Sequence, residues 1–369
     1  MTRTGIIAPA AKPGHPWQAP ALLRYFAIFV CLFIVGLIFL GGQVKSHEAG
    51  LSVPDWPLTY GQNPVTYPIS EWKGGIFYEH LHRLVAGTAG ILTLVLSGWL
   101  FLVSVPRWLR WLGVGSVVAV IAQGVLGGMT VWYQLPVLIS SSHATLAQTY
   151  LLMNIVIAYS LGVEARERRE GAAPGVASPN AFPKVLVLIA LIYMQLLLGA
   201  VMRHTESGLA IPDFPTTAGA VVPSFSDEQL AWVNDWRLNH TFETGTDLPP
   251  VTKGQMHIHF AHRCGAVIVT LYIFWLAWWL SRHRKDYPLA AETVPWLAGL
   301  VMAQFMFGAG VIWTGRTPIV TSLHVMTGAA LLALATLLAL RAWPGRQTAK
   351  TTTSSQSAAA PSGGALASR

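Results

Sequence analysis

The chain has 369 residues, of which 53% are hydrophobic and only 11% charged; an ordinary soluble domain carries about 25% charge. Its apolar residues fall in discrete runs of about 20, the length that crosses a bilayer, so a polytopic membrane protein is favoured over an unusually apolar soluble one. The net charge of +8 follows from loop topology, as shown below, and gives no reason to invoke nucleic acid.

In chain order, residues 1–21 form an N-terminal segment without the apolar core of a cleaved signal or the Arg-rich, Ser-rich character of a transit peptide. A bacterial inner membrane is the simplest location. Eight predicted spans follow, at about 22–42, 80–103, 109–132, 138–162, 182–202, 257–281, 295–313 and 319–341. A hydrophilic linker at 163–181 separates four spans from four, and a Thr/Ser/Ala/Gly-rich tail, 342–369, reads as disordered. The two loops on the other side, about 43–79 and 203–256, are long. Sixteen of the 24 Lys and Arg residues lie on the side of the termini, which places both termini in the cytoplasm and the long loops outside. The two cysteines, Cys31 and Cys264, fall within apolar spans and imply no disulfide framework.

The two halves repeat. Glu48, Gly50, Leu51, Pro54, Asp55 and Pro57 return as Glu206, Gly208, Leu209, Pro212, Asp213 and Pro215, all at an offset of 158. His82-Arg83 returns as His262-Arg263, Ala122-Gln123 as Ala303-Gln304, and His143 as His324. A long-period repeat means two copies of one structural unit. The expected fold is therefore all-α: eight transmembrane helices in two tandem, parallel-repeat four-helix bundles, 22–162 and 182–341. The offset grows from 158 to 180 between Glu206 and His262, which places an insertion of 22 residues within about 216–251 as a surface excursion. The repeated Glu-x-Gly-Leu-x-x-Pro-Asp-aromatic-Pro segment reads as a fixed turn and a rigid lid over each bundle, its aromatic residue (Trp56 or Phe214) suited to the headgroup boundary.

Four of the twelve histidines carry the functional reading. His82 and His143 lie 61 residues apart and His262 and His324 lie 62 apart, each toward the outer end of an even-numbered span. Ionisable residues inside a span are costly and mark a functional site, although a lone histidine could simply bond a neighbouring helix. Two histidines per bundle suit one metal centre. Zinc wants a third or fourth protein ligand, whereas haem needs one or two axial ligands in an apolar slot. Gly87, Gly90, Gly124, Gly127, Gly128, Gly308 and Gly310 could form such slots or could serve close helix packing. Two haem sites at one depth favour transfer between neighbours over a transmembrane wire.

Glu79 precedes His82 by nearly one turn and shares its face; His259 holds that position before His262. A carboxylate there could act as a base or stabilise positive charge, or be only a helix-end charge. Its absence from the second copy marks the first bundle as reactive and the second as a permanent cofactor site. Arg83 and Arg263 suit haem propionates or snorkelling, and Lys45 and Arg203 share that choice. His47, His80, His204, His240 and His257 read as loop or interface residues.

Glu79-x-x-His82-Arg83, Gln123-Gly124-x-Leu126-Gly127-Gly128-x-Thr130-Val131, His143, His262-Arg263 and His324 together resemble haem A synthase, over about residues 20–341. That resemblance implies oxidation of the C8 methyl of haem O to a formyl group by successive hydroxylations, with loss of water from a geminal diol, giving haem A for cytochrome oxidase. It implies that His82 and His143 flank the substrate haem, that His262 and His324 ligate a haem b cofactor, and that Glu79 is the catalytic carboxylate, steadying a cationic intermediate. It further implies as partners the haem O substrate, membrane lipid, a haem O synthase, and cytochrome oxidase subunit I or its assembly factors, and it leaves a homo-oligomer open. Some members carry an external cysteine pair, which is missing here. The competing readings are a dihaem b-type electron-transfer protein, which predicts haems at two depths and no privileged carboxylate, and a haem transporter, which needs no permanent second haem.

Overall fold

The computed structural model describes residues 17–174, 176–239 and 249–344. The expectations for most of the N-terminal segment, for the tail beyond 344, for part of the loop insertion and for His240 lie outside the described residues. Among these residues the chain is all helix apart from turns and two isolated bridges, Thr59 with Gln62 and Thr217 with Ala220.

Eight helices are long and apolar enough to cross a membrane: α1 (Ala21–Ser46), α2 (Gly75–Leu102), α3 (Arg107–Trp132), α4 (Val137–Leu161), α6 (Ala181–His204), α8 (Lys253–Arg282), α9 (Pro288–Trp313) and α10 (Pro318–Ala342). All eight expected spans are present. The first, second and sixth were cut short by four or five residues at one end, and the seventh by more, at Pro295, which lies inside α9. Proline lacks one backbone donor, but a membrane helix tolerates it where neighbouring groups re-satisfy the freed carbonyl; the two turns before it, with Glu292, were too polar to show in an apolar run.

Two shorter helices were missed. α5 (Val163–Glu170) lies in the expected linker and ends at Gly171, which adopts φ 74°. Its sequence, Val-Glu-Ala-Arg-Glu-Arg-Arg-Glu, has no apolar stripe to betray it. Position is fixed instead by contacts at the C-terminal end of α10: Arg168 donates to Leu340 O at 2.6 Å and Trp343 O at 2.5 Å. α7 (Asp227–Asn239) lies in the loop insertion, begins with two acids where the helix dipole favours them, and buries Val233 and Arg237.

Helices α1 to α4 pack in a closed cycle, as do α6, α8, α9 and α10, and the two cycles meet through α1 and α4 against α10 and α6. One core cluster centres on Leu23, Ile34, Leu100, Leu151 and Ile157, the other on Leu188, Ile273, Leu276, Leu297 and Leu332. Lipid is as apolar as leucine, so close packing and interhelical hydrogen bonds, not burial from water, hold such helices together. Tyr150 bonds Thr93 between α4 and α2, Asn154 Nδ2 donates to Ser116 Oγ at 3.2 Å, and Thr149 and Tyr193 join α4 to α6 at 2.7 Å.

At the end opposite the lids, Arg341 Nη2 pairs with Glu164 Oε2 at 2.6 Å and Arg341 Nη1 donates to Thr293 Oγ1 at 3.0 Å, tying α5, α9 and α10 together. Arg341→Ala should cost about 1–2 kcal/mol of stability, because it strands a half-buried carboxylate as well as removing bonds, and Arg341→Lys should recover only part, having no fork to span three partners. Thermal unfolding in detergent measures both.

Candidate functional site

Each lid begins where α1 or α6 ends. Glu48 and Glu206 both take a left-handed φ, 54° and 53°, and the chain turns off the helix as Ala49 N donates to Val44 O and Ser207 N to Met202 O, both at 2.9 Å. The repeated aspartates then close the turn. Asp55 accepts the amides of Tyr60 and Gly61 at 2.8 and 2.7 Å, and Asp213 accepts those of Ala218 and Gly219 at 2.6 and 2.9 Å. Burial alone would raise both carboxyls, but this donation outweighs it and holds each below the usual carboxylate range. Both lids carry a cis proline, Pro57 and Pro215. The aromatic residues lie against the long helices: Trp56 lies edge-on to Trp132 with ring centres 5.2 Å apart, and over Gly128, where a Cβ would come within 2.6 Å of its ring. Phe214 does the same between Phe305 and Trp313, at 5.7 and 5.9 Å.

Each lid is fastened to the helix after it by one arginine. Arg83 donates to Val53 O at 2.8 Å, Asp55 O at 2.6 Å and Leu58 O at 3.1 Å. Arg263 donates to Ile211 O, Asp213 O and Thr216 O at 3.0, 2.7 and 2.8 Å. These are the same lid positions in both copies. Glu79 and His259 complete the fastening in the same way. Glu79 Oε2 accepts Val53 N at 2.8 Å and Oε1 takes Arg83 Nη2 at 2.6 Å. His259 Nδ1 accepts Ile211 N at 3.1 Å, and its other ring nitrogen lies 3.2 Å from Arg263 Nε. The exchange of Glu for His thus keeps the lid and changes only the charge beneath it.

The four expected histidines share one geometry: each ring lies on a glycine of the preceding long helix. A Cβ at Gly41, Gly127, Gly199 or Gly308 would come within 3.2, 3.4, 3.0 and 3.0 Å of Cε1 of His82, His143, His262 and His324 respectively. Gly127 and Gly308 are therefore ring seats. Gly87, Gly90 and Gly124 differ, since a Cβ at each would meet nothing within 4 Å; these three border open space. Val267, Thr270 and Phe305 hold their places in the second half, at offsets of 180 and 181.

All four histidines, with Glu79, Arg83 and Arg263, border one continuous cavity of about 2410 Å³ reaching into both halves, well above the 300–1,000 Å³ of an ordinary small-molecule site. The rings of His262 and His324 lie with centres 6.5 Å apart. Two metal–nitrogen bonds of about 2 Å and half a ring on either side fill that gap. Among the described residues no group of three or more His, Cys, Asp or Glu could hold a metal ion.

Between the halves lies a network that the sequence reading left open. Lys45 of α1 pairs with Glu206, whose other oxygen takes Arg316 Nη1 at 2.8 Å. Burial would raise the Glu206 carboxyl, but Lys45 and Arg316 hold it below the usual range. Arg203 donates across to Gly42 O and Ser46 Oγ, both at 2.7 Å. Lys45 and Arg203 thus tie one lid to the opposite half. Of the other histidines, His47 stacks on Tyr78 and His257 on Phe225 at 3.7 and 3.9 Å, while His80 is buried beneath the first lid beside Thr59 Oγ1 at 3.1 Å.

Residues 24–336 match the family described as cytochrome oxidase assembly protein (COX15-CtaA). Among curated proteins, the heme A synthase of Shewanella oneidensis is 27% identical over 339 residues, 86% of this chain and 94% of that one. That of Halalkalibacterium halodurans is 25% identical over 310 residues, 82% and 91% of the two chains, and that of Sphingopyxis alaskensis is 25% identical over 365 residues, 90% and 95%.

Because both lid aspartates titrate below the unfolded value, their contribution is full at neutral pH and is lost only as pH falls through the lowered folded value. Asp213→Asn keeps one accepting oxygen for two amides. Hydrogen exchange at Ala218 or Gly219 should then rise roughly ten- to hundredfold at neutral pH, the worth of a bond to a charged acceptor, with the α8 amides unchanged.

Proposed function

The chain belongs to the cytochrome oxidase assembly protein family, and on that premise we propose that it is a haem A synthase, oxidising the C8 methyl of haem O to a formyl group within the membrane. Residues 22–162 form the substrate domain and 182–341 the cofactor domain. Both termini face the cytoplasm, and the lids and haem sites face the periplasm, a placement that the lysine and arginine distribution supports.

The asymmetry of the two histidine pairs carries this reading. His324 Nδ1 lies 3.1 Å from Gln304 O and His262 Nδ1 lies 3.1 Å from the Gln195 amide, whereas Nδ1 of His82 and of His143 are buried without a hydrogen-bond partner. A metal-bound histidine is oriented through its other ring nitrogen. The second pair is therefore set as a permanent bis-histidine site, with a ring spacing that admits an iron, and the first pair is less constrained, as suits a ligand that enters and leaves. Haem b held by His262 and His324 would supply electron transfer. Gly87, Gly90 and Gly124 leave space open where the second half carries the side chains of Val267, Thr270 and Phe305, and haem O needs such space for the long isoprenoid chain that haem b lacks.

In the substrate domain, His82 and His143 hold haem O from either side. Glu79, 4% exposed, borders the same cavity as this pair. Held by Arg83 and the Val53 amide, it keeps a fixed position from which to steady positive charge developing on the substrate. The lid above excludes water, and Arg83 and Arg263, which also border the cavity, stand where propionates would reach the mouth. The partners implied are a haem O synthase upstream and cytochrome oxidase subunit I or its assembly factors downstream.

Acid-acetone extraction of the purified protein, from a host that supplies haem O, tests the assignment. Haem b together with haem A or its hydroxylated precursor supports it; haem b alone favours a dihaem electron carrier. Glu79→Gln keeps an acceptor for Val53 N, so haem b content should be unchanged while haem A formation falls about 10²-fold or more. Gly124→Phe copies the second half into open space and should lower haem O and haem A content at least tenfold while sparing haem b.

A further inference from the structure

Where the halves join, each contributes one cation at a matched position. Gly41 of α1 and Gly199 of α6 seat the rings of His82 and His262. Four residues beyond each glycine stand Lys45 and Arg203, which correspond at the offset of 158. Four residues is about one helical turn, so each cation shares the face of its glycine, one turn nearer the lid. The head groups then cross the junction. Arg203 Nη2 donates to Gly42 O and Ser46 Oγ of α1, both at 2.7 Å, and Lys45 reaches Glu206 of the second lid. Helix α10 closes the same corner: a Cβ at Gly42 would come within 3.0 Å of Ser322, and Gln43 Nε2 donates to Pro318 O at 3.2 Å. The charge of Arg203 is felt at His324. The cluster thus lies beside the seat of His82 in one half and near His324 in the other.

The cavity wall is not neutral. It carries five cationic side chains, Lys45, Arg83, Arg203, Arg263 and Arg316, against three carboxylates, Glu48, Glu79 and Glu206. Arg83 and Arg263 each give three bonds to lid carbonyls, and Arg83 is paired with Glu79. At the junction Glu206 pairs with Lys45 and Arg316. Among the described residues only Nη2 of Arg203 is bonded, which leaves Nε and Nη1 available on a residue that borders the cavity. A surplus of positive charge in an apolar, partly enclosed site is costly unless an anion answers it, and a carboxylate suits these donors best.

We propose that Lys45, Arg203 and Arg316 form one carboxylate-binding site, shared by the two halves, for the propionate groups of the macrocycles bound in them. The proposal rests on the haem reading of the two histidine pairs. The surplus of two charges on the wall suits one carboxylate from each side. Glu206 holds Lys45 and Arg316 in place between them. Because the head group of Arg203 is held by α1 and that of Lys45 by the second lid, removing one cation weakens carboxylate binding in both halves, not only in the half that supplies it.

The test is spectrophotometric titration of the full-length protein, purified from haem-depleted cells, with haem b and with its dimethyl ester. The ester keeps the iron and the macrocycle but lacks both carboxylate charges. Wild-type protein should bind haem b about a hundredfold more tightly than the ester. Arg203→Gln should cut that preference roughly tenfold, the worth of one bond to a charged acceptor, by weakening haem b and leaving the ester unchanged. Arg203→Lys keeps the charge and should keep most of the preference. In a His262→Ala background, which leaves the first pair to be titrated alone, Arg203→Gln should cut the preference again. An Arg203→Gln protein that loses haem b and ester equally has lost packing only, and one with the wild-type preference makes no use of the cation; either result overturns the proposal. A preference that falls only when His262 is present confines Arg203 to its own half and overturns the sharing. Wild-type protein that binds neither compound would instead sink the haem reading of the histidine pairs, so the two failures are told apart.

Discussion

A histidine ring fits between closely packed membrane helices only where the facing helix presents no side chain. Four glycines, Gly41, Gly127, Gly199 and Gly308, meet that condition for four histidines, and the rest of the site depends on it. Seated edgewise at Cε1, each ring projects from the even-numbered span toward the centre of its own cycle of helices, and its height follows from the height of the glycine. A methyl group at any of the four would press on the ring, and an interior packed to native density has little room to yield. The height of each ring in its bundle is thus a property of helix-to-helix contact as much as of the histidines.

The lids answer a different constraint. A buried backbone carbonyl must find a donor, and a loop lying across a bundle mouth has many such carbonyls. Arg83 and Arg263 each satisfy three of them with one guanidinium. The loop amide at Val53 or Ile211 needs an acceptor on the helix below, and either a carboxylate or a neutral imidazole meets that need. Position 79 was therefore able to take up a charge, or position 259 to lose one, without dismantling the lid. The proposed divergence of function between the halves falls at a site where the structural duty accepts two chemistries.

Much of this was legible in the sequence. Hydropathy located all eight spans because each buries its backbone internally and must be apolar along its length. The offset of 158 marked the lids, and those of 180 and 181 marked the histidines and the change from Glu79 to His259. What escaped was whatever lacked an apolar signature: α5, which is nearly all charge and owes its position to Arg168 and Arg341, and α7, whose fixed point is the buried Arg237 bonded to Leu209 O and Pro249 O. The glycines were visible as small residues, but nothing in their spacing separated the ring seats, Gly127 and Gly308, from the open positions, Gly87, Gly90 and Gly124. That distinction is one of contact, and contact is set by which helix comes next to which.

On the proposed reading, one fold supports two different tenures for a ligand. Duplicated helices start with equal holding power over their histidines. In the described structure one half has bonded Nδ1 of both rings, through Gln195 and the Gln304 carbonyl, and has put Val267, Thr270 and Phe305 where the other half leaves open space. The other half has neither feature, and it carries Glu79 where the second half carries His259. Tight orientation and filled space suit a group that stays; free ring nitrogens, open space and a fixed charge suit one that is changed and released. The two sets of differences lie on different helices, α6 with α8 on one hand and α2 with α3 on the other, yet they divide the halves in the same sense. Such agreement between independent positions is hard to obtain by drift, because an unconstrained pair of copies would lose Nδ1 partners and fill glycine gaps in no consistent direction.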